Sequence, residues 1–98
     1  MKQHRYRITI EHLELPDGSS PDKPEALSFE VGNHDDILGI VTRTRQRGDL
    51  PAADATAFAV GLKLFSEVML QHRSAPLFAD FAPHFKAFMQ QLKQRPAA

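Results

Sequence analysis

Alternation of apolar and polar residues marks two extended segments in the first third of the chain. Every second residue is apolar over about residues 5–13 and again over about residues 26–32, as in Tyr6, Ile8, Ile10, Leu27, Phe29 and Val31. A period of two is typical of strands with one buried face. The polar, proline-rich residues 14–25 predict a loop. Because its prolines disfavour a crossover helix, we predict an antiparallel strand pair.

The pattern then changes to helical spacing. Asn33 is the predicted N-cap of a first helix over about residues 34–47, since its side chain can accept a hydrogen bond from the free backbone N–H groups of the first turn. Gly48 is expected to end that helix. Pro51 fits the first turn of a second helix, which we predict over about residues 51–73.

Pro83 interrupts the last helical segment. Proline lacks the N–H that a helix interior needs, and its ring clashes with the preceding turn. We therefore expect a short helix over about residues 77–80 and a longer one over about residues 83–94. The predicted order is ββααα in a single α+β domain spanning residues 1–98.

Helical wheels predict the packing faces of the first two helices. One side of the first helix collects Ile37, Leu38, Ile40, Val41 and Thr44. The second helix is apolar over nearly half its circumference, and His72 in its last turn falls on that arc as a candidate core histidine. A ridge of small residues at a spacing of four is expected to allow a close helix crossing near Gly39, and it consists of Ala53, Ala57 and Gly61.

The amino-acid composition excludes several kinds of chemistry and argues against several kinds of partner. The 98 residues are 42% hydrophobic, and twelve Lys and Arg balance twelve Asp and Glu, which argues against a surface built for nucleic acid. The chain has no cysteine, so thiol catalysis and thiolate zinc sites are excluded. With no long apolar run and no signal-peptide pattern at the start, we predict a cytoplasmic protein without a membrane partner.

The most chemically loaded stretch is His34-Asp35-Asp36 at the junction of the second strand and the first helix. Acidic residues at a helix start complement its positive end, so capping explains both aspartates without a ligand. The alternative is a metal, ligand or catalytic site that adds His72 from the second helix. The five histidines show no zinc spacing, and adjacent side chains diverge at a helix start, so we assign no catalytic, metal or cofactor residue.

Three arginines near the end of the first helix could suggest nucleic-acid binding. Arg43 and Arg47 share one edge of the helix, whereas Arg45 projects from the other edge. The three form no continuous stripe, and no aromatic side chain is interleaved for base stacking. We therefore predict a solvated helix end and no nucleic-acid partner.

Four segments of the sequence resemble a family of short bacterial proteins known only as a domain of unknown function. They are Phe29-Glu-Val-Gly-Asn-His-Asp-Asp36, Ala57-Phe-Ala-Val-Gly-Leu-Lys-Leu-Phe65, Pro76-Leu-Phe-Ala and Pro83-His-Phe. The resemblance covers about Tyr6 to Lys93 and implies no activity, cofactor or site residue.

The sequence as a whole favours a binding or protein-interaction module without catalysis or cofactor. Four of the seven phenylalanines lie in the last helical region, and any apolar surface that the fold leaves uncovered would mark a partner surface. We predict self-association as a homodimer, with any other protein partner unidentified. The alternative function is a small metal- or ligand-binding protein or enzyme using His34, Asp35 and Asp36.

Overall fold

The chain separates into a strand unit and a helical unit. A computed structural model describes residues 3–23 and 25–94. The described residues fall into two compact units, one ending at His34 and the next beginning at Asp35. One domain over residues 1–98 therefore stays a prediction, and residues 1–2, 24 and 95–98 lie outside the described residues.

The first unit is the predicted antiparallel hairpin. Strand β1 spans His4–Glu11 and strand β2 spans Ala26–Asn33. Ile8 lies opposite Phe29, so the apolar positions of both strands share one face of the sheet. The pairing confirms the α+β class and the antiparallel direction, with strand ends within two residues of those predicted.

The loop after β1 contains a tight turn. The Ser19 N–H and hydroxyl both donate to Asp17 Oδ1, at 2.9 and 2.6 Å. Gly18 adopts a φ of 88°, a conformation that glycine tolerates at little cost. The hydrogen bonds from Ser19 hold the pKa of Asp17 below its ordinary value of 3.8.

The described part of the second unit holds four helices in the predicted order. They are α1 at Ile37–Arg47, α2 at Ala52–Gln71, α3 at Pro76–Ala79 and α4 at Ala82–Gln94. The break near Pro83 is confirmed, because α3 stops before it and α4 carries it in its first turn. No helix in the described part of the chain is long and apolar enough to cross a bilayer.

The start of α1 differs from the prediction. Asn33 is not the N-cap, because it remains in β2 opposite His4. The cap is Asp36, whose side chain accepts a hydrogen bond from the Gly39 N–H at 3.2 Å. The ladder therefore holds Asn33 extended, and the helix begins at Ile37 rather than at residue 34. Gly48 ends α1 as predicted, with a φ of 82°.

The core of the helical unit lies where α1 and α2 meet. Ile37, Val41 and Thr44 are buried on α1, as the wheel predicts, whereas Leu38 is 70% exposed. On α2 the fully buried small residues are Ala55 and Ala59, each with no exposed surface. Small side chains at this spacing let two helices approach closely.

The predicted ridge of Ala53, Ala57 and Gly61 is therefore wrong. All three residues are exposed, and a Cβ added at Gly61 would meet no described atom within 4 Å. Ala55 and Ala59 follow the ridge positions by two residues, which is about 200° around a helix. Because α2 is apolar around much of its circumference, its helical wheel shows small residues on two faces. The pattern alone does not indicate which of the two faces is buried.

Phenylalanine rings connect α2 to the last two helices. The Phe65 ring packs edge-on against three rings at centroid distances of 5.8 to 6.0 Å, those of Phe78, Phe81 and Phe85. Phe58 packs edge-on against Phe88 at 6.2 Å. Edge-to-face pairs stabilise beyond the area they bury, so this cluster fastens α3 and α4 to α2.

Candidate functional site

The two aspartates of the predicted site have structural roles. Asp36 caps α1, and Asp35 accepts an ion-pair hydrogen bond from Lys63 Nζ at 2.9 Å. Because Lys63 lies on α2, the Asp35 pair ties the start of α1 to its neighbouring helix. Capping and helix pairing thus account for both carboxylates.

The two histidines of the predicted site are both exposed. His34 is the last residue of the first unit. His72 caps the C-terminus of α2, where its backbone N–H donates to the carbonyls of Val68 and Met69. The core position expected for His72 is therefore wrong, because α2 ends at Gln71. Within residues 3–23 and 25–94, no three acidic or histidine side chains gather as a metal site would require.

An ion-pair cluster occupies the polar face of the hairpin. Arg5 and Arg7 of β1 both reach Glu30 of β2, at 2.7 and 2.9 Å. The hydrogen bonds from Arg7 and then Arg5 hold the pKa of Glu30 below its ordinary value of 4.5. These ion pairs join the two strands in the observed register.

The opposite face of the hairpin is apolar and open to solvent. Ile10 is 57% exposed, Leu27 is 58% exposed and Phe29 is 37% exposed. The described sheet contains only β1 and β2, so each strand also has one edge without a neighbouring strand. A lone two-stranded hairpin is marginally stable in water, and an open edge is a template for pairing with another chain.

The three arginines of α1 separate as their wheel positions predict. Arg45 donates to Thr56 Oγ1 at 2.8 Å on one side of the helix. Arg43 and Arg47 instead line a groove on another side. Arg47 also donates to the backbone carbonyl of Leu92 at 2.8 Å, which joins α1 to α4.

Sequence reasoning missed this groove and the contacts at its rim. The Asp35–Lys63 pair and the Arg47–Leu92 bond connect residues far apart in the chain. Neither belongs to a recognised motif. The available signal was the shared edge of Arg43 and Arg47, which marks a basic side of α1 without naming its neighbours.

These features define the class: a small α+β protein with an open two-stranded sheet and a four-helix unit. A family model matches residues 4–94, and the chain belongs to that family, DUF3861, a domain of unknown function with a solved structure. This confirms the resemblance noted from the sequence.

A solved structure extends the comparison. The chain is 38% identical to a protein of unknown function from Pectobacterium atrosepticum SCRI1043, with a TM-score of 0.81. The match covers 95% of this chain and 99% of that one. No curated protein matches the chain. The comparisons thus give a fold and a bacterial family, and they attach no activity to either.

Proposed function

We propose that this protein is an interaction module that works as a homodimer, in which β1 of one copy pairs with β1 of a second copy. The observation that carries the proposal is the hairpin, with its open strand edges and exposed apolar face. Pairing two hairpins makes a four-stranded sheet, and an independently stable sheet needs three or more strands with an apolar face.

The free edge of β1 can be assigned to particular residues. The His12 N–H donates to the Glu25 carbonyl across the hairpin at 3.1 Å. Backbone groups alternate in direction along a strand, so even-numbered residues of β1 turn their N–H and C=O groups toward β2. The odd-numbered residues turn theirs to the open edge, and they are Arg5, Arg7, Thr9 and Glu11.

Charge complementarity selects β1 rather than β2. When β1 pairs antiparallel with its own copy around Ile8, Arg5 lies opposite Glu11 of the second copy at both ends of the interface. Glu11 has no ion-pair partner within the described residues, whereas Arg5 is held on the same face by Glu30. β2 carries only one charged residue, Glu30, so a pairing between two β2 strands gains no opposite-charge pair.

Charge pairing also favours one register of the two β1 strands. With Ile8 on the two-fold axis, residues 5–11 of both copies pair, and Tyr6 lies opposite Ile10 of the second copy. A shift that centres Arg7 puts two arginines face to face, which is unfavourable. A shift that centres Thr9 keeps an opposite-charge pair, that of Arg7 with Glu11 of the second copy. It shortens the paired part of each strand to residues 7–11.

Single-cysteine variants test this arrangement in the full chain, which has no cysteine of its own. Ile8 opposite Ile8 is a non-hydrogen-bonded pair with Cα atoms about 4.5 Å apart, within the range of a disulfide. We expect Ile8→Cys to form a covalent dimer under mild oxidation. Arg7→Cys and Thr9→Cys report the two shifted registers, and we expect them to cross-link weakly.

A charge variant supplies an independent measurement. Glu11→Arg places like charges at both ends of the interface, and we expect it to weaken the dimer by about tenfold in analytical ultracentrifugation. Glu14→Arg makes the same charge change outside β1 and is the matched control. A monomeric wild type would overturn the homodimer. A dimer without cross-linking at any of the three positions would overturn the β1 pairing and keep the homodimer.

We infer that this dimer acts in the bacterial cytoplasm. The absence of cysteine suits a reducing compartment, where disulfides do not add stability. Fractionation of bacterial cells with an antibody against the chain tests the assignment. Recovery with the membrane or periplasmic fraction would contradict it.

A further inference from the structure

The helical unit contains a groove that the proposed dimer does not use. It lies between α1, α2 and α4 and has a volume of about 410 Å³. Pockets for small molecules begin at roughly 300 Å³, so the groove is large enough for a small organic ligand. Its floor is apolar and half-buried, and it is made by Ile40, Leu62, Met89 and Leu92.

The rim of the groove is basic. Among the described residues, four cations line it and no acidic side chain does: Arg43, Arg47, Lys63 and Lys93. This is a third of the twelve cations in a chain whose net charge is zero. Such a concentration raises the local potential and favours anions.

Two of the four cations are already neutralised. Arg47 forms an ion pair with Asp49 at 2.9 Å, and Lys63 forms one with Asp35 at 2.9 Å. These bonds hold both side chains at the rim. Arg43 and Lys93 are exposed and have no ion-pair partner within the described residues. The groove therefore carries two positive charges in excess.

We propose that this groove binds a small amphiphilic anion, with a carboxylate or phosphate head between Arg43 and Lys93 and an aliphatic tail on the apolar floor. Charge-assisted hydrogen bonds from arginine and lysine suit either head group. Burial of the tail removes apolar surface of both ligand and floor from water. Neither contribution depends on the hairpin, so this site and the homodimer stand or fall separately.

The test uses four probe ligands that separate the contribution of the charged head to binding from that of the aliphatic tail. Octanoate and octyl phosphate carry both parts, acetate carries the charge alone, and octanol carries the tail alone. In an NMR titration of the full chain, we expect octanoate and octyl phosphate to shift the backbone amides of Ile40, Leu62 and Met89. We expect acetate and octanol to bind more weakly, by about tenfold or more.

Variants of the rim residues supply a second test of the proposed site. Arg43→Gln combined with Lys93→Gln should weaken octanoate binding by about tenfold or more, because both free cations are lost. Arg45→Gln removes a charge from the same helix outside the groove and should bind octanoate like the wild type. Both changed positions are exposed, so circular dichroism should show unchanged helix content.

Three results would overturn the proposal. The first is the absence of amide shifts with octanoate and octyl phosphate at millimolar concentration. The second is equal binding of octanol and octanoate, which would assign no role to the cations. The third is equal octanoate affinity in the wild type and the double variant, or an equal loss in Arg45→Gln.

Discussion

At the scale of single residues, Glu30 fixes the hairpin because two arginines share its carboxylate. Arg5 and Arg7 approach it from the neighbouring strand at 2.7 and 2.9 Å. All three side chains are exposed, so each pair contributes little in water. The shared acceptor nevertheless sets the register, since a slip of one residue moves the arginines to the other face.

The lowered pKa of Glu30 predicts a pH dependence. A carboxylate whose folded pKa lies below its unfolded value contributes stability above the unfolded value of 4.5, and this is lost as the pH falls through the folded value. Between about pH 6 and about pH 3, we expect the hairpin of the wild type to lose more stability than that of Glu30→Gln. Urea titrations followed at the Ile8 and Phe29 amides measure the difference. Equal losses in both proteins would contradict it.

The cap at Asp36 predicts a second residue-scale effect. Asp36→Ala leaves the Gly39 N–H without its side-chain acceptor and should lower the free energy of unfolding by about 1 kcal/mol. Asp36→Asn keeps an acceptor oxygen and is the matched control, with an expected loss of a few tenths of a kcal/mol. Urea denaturation followed by helical circular dichroism measures both. An equal loss of unfolding free energy in the two variants would show that the missing cap hydrogen bond does not cause the destabilisation.

At the scale of elements, Gly48 and Gly61 of the helical unit have opposite roles. Gly48 ends α1 with a φ of 82°, which side chains other than glycine adopt at a cost. Gly61 lies within α2 at an exposed position, with open space where a Cβ would stand. A glycine inside a helix destabilises it, so Gly61 is a weak point of the longest helix.

This contrast predicts changes of opposite sign. Gly61→Ala should raise the free energy of unfolding by about 0.5 to 1 kcal/mol, because alanine is the better helix former. Gly48→Ala should lower it by about 1 kcal/mol, because alanine meets a steric penalty in the left-handed conformation. Thermal and urea denaturation of the two variants measure these changes. Destabilisation by Gly61→Ala would instead indicate a close helix contact at that residue.

Elements were predictable from the sequence where one local signal dominated. Strand alternation fixed the hairpin, and Pro83 and Gly48 fixed two helix ends. The start of α1 was not predictable in the same way, because two capping residues, Asn33 and Asp36, compete within four positions. Asn33 is excluded as the cap because it pairs in the sheet with His4, which lies far away in the chain.

At the scale of the whole molecule, the candidate surfaces depend on contacts that no local pattern contains. The basic groove combines residues of α1 with residues of α4, joined by the Arg47–Leu92 hydrogen bond. The wheel of α1 placed Arg43 and Arg47 together but could not supply the apolar floor. The open hairpin edge likewise follows from the absence of a third strand in the described sheet, which is a property of topology.

The homodimer predicts how the stability of the whole molecule changes with protein concentration. Association of folded copies stabilises the folded state by mass action, so the melting temperature of a dimer rises with concentration. For two chains of 98 residues unfolding together, we expect the melting temperature to rise by about 4 °C for each tenfold rise in concentration. Calorimetry over two decades of concentration measures the slope. Glu11→Arg should flatten it and Glu14→Arg should keep it, since only the first changes the β1 interface. A wild-type slope of zero would mean that the hairpin is stable without a second copy.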